Sequence, residues 1–114
     1  MTFLAVLKII TAVFTIAFGL YSVIRPRDIK GFTGLDVTGP RGVTEIRAIL
    51  GGAFVGLGIA PLLLAAPAAY QTLGITYFVI AIVRTISMVT DRSVMSSNII
   101  SVVSEVVMGI FLVI

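Results

Sequence analysis

The sequence predicts an all-α integral membrane protein, a four-transmembrane-helix bundle with both termini on the non-cytoplasmic side. Three observations predict it. Of 114 residues, 59% are hydrophobic and only 11% charged, against about a quarter charged in an ordinary soluble domain. Four apolar runs, 3–24, 43–66, 69–89 and 94–114, each reach the roughly 20 residues that a helix needs to cross a hydrocarbon core. Five of the eight cations lie between the runs, four of them in the first link. Residues 1–114 therefore read as a single membrane domain, with too little chain outside the runs for a soluble one.

The first run has one cation ahead of its apolar core, Lys8, and ends in Ile24-Arg25-Pro26-Arg27. A cleaved signal peptide would end in small residues, so this helix reads as a retained anchor. Thr11, Thr15 and Gly19 recur along it at four-residue spacing. A long polar loop, 25–42, follows, with Pro26, Pro40 and four glycines.

Helix two carries Ala48, Gly52, Gly56 and Ala60 on one line, with Gly51 and Gly58 thinning the adjacent face. Small residues at this spacing let helices approach closely in lipid, where no hydrophobic drive separates helix from solvent. The line is expected to serve packing, inside the bundle first and an oligomer or docking seam second. The turn at Pro67 and Ala68 and the link 90–93 are short, which makes helices two and three, and three and four, antiparallel neighbours. Helix four presents Ser97, Ser101, Glu105 and Gly109 on one small, polar stripe.

Arg25, Arg27, Lys30 and Arg41 fall in the first loop and Arg92 in the third. By the positive-inside rule both loops are expected on the cytoplasmic side. The chain is expected to cross its membrane several times.

Glu105 is the one charge in the last run. A carboxylate at membrane depth costs on the order of 2.5–3.5 kcal/mol on insertion scales and demands a partner. At 1.5 Å rise per residue, Arg84 lies about one turn away in depth on the adjacent helix. The expected arrangement has Arg84 bridging Glu105 and Glu45, since a planar guanidinium serves two carboxylates at once. Arg47 then faces the headgroups or closes the cluster, and Lys8 is the rival partner for Glu105. These five residues form either a structural register device or a binding site.

The chain has no cysteine and no histidine. Disulfides, thiolate nucleophiles and the commonest metal and haem ligands are thereby excluded. Glu45 and Glu105 alone supply too few ligands for a metal. No nucleophile–base pair is legible, and serines in membrane helices tend to bond backbone carbonyls. No enzyme activity, cofactor or nucleic-acid partner is expected.

Several of these residues, taken in order, carry a resemblance. They are Gly19-Leu20-Tyr21, Pro26, Gly34-Leu35, Gly42, Glu45-x-Arg47-Ala48-x-x-Gly51-Gly52, Arg84-x-x-Ser87 with Asp91, and Glu105-x-x-x-Gly109. The pattern resembles a family of small four-helix bacterial membrane proteins known only as a domain of unknown function, distantly similar to the DoxX group. The E-x-R-A-x-x-G-G element is its most specific part. Val83 stands where a glycine often precedes the arginine, and Arg92 where one often follows the aspartate. The resemblance implies the fold and singles out Glu45, Arg47, Arg84 and Glu105, but implies no activity.

The first functional expectation is an accessory or scaffolding subunit, packed against a larger membrane complex or another copy of itself. The second is a carrier or binding protein for a proton, a small anion or an amphiphile such as a quinone or lipid. The basic loop suits anionic headgroups, so membrane lipids are expected partners in either case.

Overall fold

The structure is a computed structural model that describes residues 2–114. All its regular elements among those residues are helical: α1 (Phe3–Ile24), α2 (Lys30–Thr33), α3 (Pro40–Leu64), α4 (Pro67–Thr90) and α5 (Ser96–Val113). The four long ones are apolar enough to cross a membrane.

Helix boundaries shift from the sequence expectation at two prolines. α3 starts at Pro40 and α4 at Pro67, ahead of the expected 43 and 69. Proline fits a first helical position, where its missing N–H has no intrahelical acceptor to lose. α5 starts later, at Ser96, because Met95 is extended at φ −137°. Within α3 the backbone widens to the π form over Ile46–Ala53.

The chain forms two compact units. The unit Ile9–Ala65 holds most of α1, then α2 and α3. Its helices touch backbone to backbone. A Cβ on Gly19 would lie 2.7 Å from both the Gly51 carbonyl oxygen and the Val55 nitrogen, and one on Gly58 2.7 Å from the Ala12 carbonyl oxygen. Gly51 and Gly58, on the face that thins α3 beside the expected stripe, thus make the contact with α1. Gly52 and Gly56 meet nothing across the unit, and they and Ala48 are exposed while Ala60 is half-buried. Within this unit the close contact thus runs along Gly51 and Gly58, beside the line of Ala48, Gly52, Gly56 and Ala60. The reason is rotational: the buried face of α3 is set by its approach to α1, and residues 51 and 58 lie on it.

The loop after α1 is not simply polar. Ile29 is fully buried. The Phe32 ring lies 5.7 Å from Phe18 and 5.6 Å from Tyr21, and Phe18 also meets Phe54 at 5.0 Å. Phe18 stands six residues inside the end of α1, about 9 Å along its axis, so the loop folds back along the helix. Gly34 ends α2 at φ +76°, a conformation that glycine adopts without steric cost.

The second unit comprises Ala66–Ile114 with the start of α1 through Lys8. α4 and α5 cross closely where Gly74 would place a Cβ 3.0 Å from the Gly109 carbonyl oxygen and 2.9 Å from Leu112 Cβ. A Cβ on Gly109 would press on the Phe78 ring at 2.9 Å. Gly109 is therefore a packing residue, as its place beside Glu105 suggested.

Candidate functional site

One turn or more from the Gly74–Gly109 crossing, the same two helices hold their charges. Arg84 Nε donates to Glu105 Oε1 at 3.0 Å and Oε2 at 3.2 Å, and Nη2 donates to Oε2 at 2.8 Å. Nη1 donates to Asn98 Oδ1 at 3.1 Å. Asn98 in turn donates from Nδ2 to the Ser93 carbonyl at 2.9 Å. The guanidinium is therefore held by two side chains of α5, one of which is tied to the turn before that helix. Glu105 and Asn98 reach it because they stand seven residues, two turns, apart on one helix face.

Burial of the pair is uneven. The Glu105 side chain is 10% exposed and that of Arg84 33%, so the pair turns its cationic member outward. A guanidinium carries five N–H groups. The four bonds above leave one on each terminal nitrogen without a partner among the described residues. An open groove of about 410 Å³ runs past them, walled by Val79, Val83, Met88, Asn98 and Arg84 itself. Ser87 and Ser93 complete its rim.

Residues 3–114 match the family described as a domain of unknown function, DUF4345. The chain belongs to that family. No curated protein and no solved structure matches it.

This DUF4345 chain forms the Arg84–Glu105 part of the expected cluster. Arg84 and Glu105 come together, joined by Asn98, which the sequence reading missed although its seven-residue spacing from Glu105 was visible. Glu45, expected to share Arg84, has Arg41 as its ion-pair partner, one turn earlier on its own helix. The i, i+4 spacing within one helix brings these two side chains together. Arg47 Nε donates to the Val23 carbonyl at 2.9 Å, tying α3 to the end of α1. Lys8 is half-buried and makes no ion pair among the described residues, so it is not the partner of Glu105. On the helix-four stripe, Ser97 is exposed, and Ser101 returns its hydroxyl to the Ser97 carbonyl at 2.9 Å. Neither touches Arg84 among the described residues.

All of the E-x-R-A-x-x-G-G element of this DUF4345 chain after Glu45 lies in the π-helical stretch Ile46–Ala53. Short π segments inside helices recur at functional sites, and nothing in the sequence periodicity announced this one. Outside the spans, the Arg25 guanidinium is held above its ordinary range by its hydrogen bond to Asp28. Lys30 and the Val37 N–H hold the Asp36 carboxyl below the usual range. No group of acidic residues able to hold a metal ion occurs among the described residues.

Proposed function

We propose that this protein is a non-enzymatic membrane protein that holds an amphiphile in the α4–α5 groove. The polar end of the amphiphile is a neutral hydrogen-bond acceptor, such as the carbonyl of a quinone or of a lipid ester. The carrying observation is the Arg84 guanidinium, compensated on one side by Glu105 and facing the groove on the other with two unspent N–H groups. Because the charge of Arg84 is already neutralised, an added anion would leave the site net negative in a low-dielectric setting, which is costly. A neutral acceptor takes the spare N–H groups without that cost. The apolar walls of Val79, Val83 and Met88 suit an acyl or isoprenoid chain.

The test is mass spectrometry of apolar extracts from protein purified in mild detergent. Wild-type protein is expected to retain an amphiphile that the Arg84→Met, Glu105→Leu double variant has lost while still folding. Equal retention by a folded double variant would overturn the reading.

A second reading, an accessory subunit of a larger membrane complex or homo-oligomer, is supported by the open Ala48, Gly52 and Gly56 face of α3. Small residues turned away from their own unit suit a close helix partner. Isolation of a lone, monodisperse protomer from native membrane would count against it. Both readings place the chain in a bacterial cytoplasmic membrane with the loop between α1 and α3 inside. Cysteine labelling of a Gly31→Cys variant by an impermeant maleimide in intact cells would contradict that sidedness.

A further inference from the structure

We propose that the ends of α1 and α3 form a phosphate-binding pocket for the headgroup of an anionic phospholipid or a free phosphate. The pocket holds about 560 Å³ and is lined by Arg25, Arg27, Asp28, Thr44 and Arg47, with Ile24 and Val43 on its apolar side. Three arginines less one aspartate leave it a net charge of +2. It is distinct from the Arg84 groove, which lies in the other unit.

Each arginine stands in a different state. Arg25 is spent on Asp28 at 3.0 Å. Arg27 is exposed and joins no ion pair among the described residues. Arg47 is pre-oriented: its Nε bond to the Val23 carbonyl leaves its terminal nitrogens without a bond among the described residues. A guanidinium fixed at Nε presents a fork to a phosphate, and such charge-assisted, two-point pairs are the strong ones. The other cations of this region are already matched elsewhere, Arg41 to Glu45 and Lys30 to Asp36. The unneutralised charge therefore concentrates in this pocket instead of spreading over the loop.

The position fits a bilayer surface. The pocket joins the last residues of one membrane-length helix to the first turns of another. A monoanionic phosphodiester there would neutralise part of the net +2, with Ile24 and Val43 beside its acyl region.

The test uses the full chain in phosphatidylcholine nanodiscs containing a minority of phosphatidylglycerol, with bound lipid counted by native mass spectrometry. Arg27→Gln is expected to lower retained phosphatidylglycerol about fivefold, the worth of one basic residue near an anionic surface. Arg47→Lys keeps the charge but not the Nε anchor, and is also expected to lower retention. Lys30→Gln removes a cation outside the pocket and is expected to leave retention unchanged. Inorganic phosphate is the second arm: release of the lipid by millimolar phosphate assigns the site to free phosphate, and resistance to it assigns the headgroup. Retention unchanged in a folded Arg27→Gln protein, or lowered as much by Lys30→Gln, would overturn the pocket. Circular dichroism of each variant separates loss of binding from loss of fold.

Discussion

Arg84 Nη2 and Glu105 Oε2 lie 2.8 Å apart, each on a different membrane-length helix, with Arg84 Nε bonded to both carboxylate oxygens. The bond joins α4 and α5 at a depth where either charge alone has no good solvent. Removing one partner from a buried pair typically costs about 3–5 kcal/mol, whereas replacing both with apolar groups is often neutral. Arg84→Met is therefore expected to lower the unfolding free energy in detergent by about 3 kcal/mol, and Glu105→Leu by a similar amount. The double variant is expected to recover most of the loss. Additive losses in the thermal or denaturant midpoints would show that the two side chains do not act as a pair.

The α1–α3 contact predicts a contrast between glycines. Gly19→Ala would drive a methyl group to 2.7 Å from two backbone atoms of α3, neither of which is the end of a flexible side chain. The helices must part, at about 1–3 kcal/mol for forced overpacking. Gly56→Ala meets nothing within 4 Å and is expected to be neutral or slightly stabilising, since alanine is the better helix former by up to about 1 kcal/mol. Titrating both variants from mild into denaturing detergent, followed by circular dichroism, checks the order. Equal sensitivity would mean that Gly56 faces a partner.

How much of this was legible in the sequence follows from what each residue's neighbours could reveal. The helices were, because a span needs only length and hydropathy. The Arg84–Glu105 pair was, because depth on adjacent antiparallel helices is a one-dimensional sum. Glu45 was misplaced because depth cannot rank a distant arginine against Arg41 one turn away on the same helix. The face of α3 that meets α1 was open to rotation: its two small-residue lines are adjacent, and only the approach of Gly19 selects Gly51 over Gly52. The π stretch alters that rotation further and leaves no compositional mark. Ile29 and Phe32 were hidden by their polar surroundings, although apolar residues in a basic loop were a readable hint of docking.

The loop predicts a pH dependence of defined sign. Lys30 Nζ, 3.1 Å from Asp36 Oδ2, and the Val37 N–H hold the Asp36 carboxyl below its ordinary value of 3.8. A depressed carboxyl contributes to the folded loop above the unfolded value, and that contribution fades as pH falls through the lowered one. The pair is well exposed, so the effect is local and small. Carboxyl carbon NMR of protein labelled at aspartate is expected to give Asp36 a midpoint below 3.8, returning upward in Lys30→Gln. A midpoint unmoved by that substitution would mean that the Val37 N–H alone sets it.

Arg92 offers a stabilising substitution with a built-in control. It follows α4 with φ +52°, in the left-handed region, and it is not glycine. A side chain there brings its Cβ against the following carbonyl, a cost of about 1–2 kcal/mol that glycine does not incur. The sequence pattern had already marked this position as one where glycine often follows the aspartate. Arg92→Gly is thus expected to raise stability by about 1 kcal/mol, less whatever entropy the freer unfolded chain gains. Arg92→Ala removes the same charge but keeps the Cβ, so it is expected to show no such gain. If alanine and glycine raise the unfolding midpoint equally, relief of charge and not of backbone strain is responsible. If only glycine does, the turn between α4 and α5 holds its strained residue at a measurable cost, next to the segment that carries Ser93 to Asn98 and hence to Arg84.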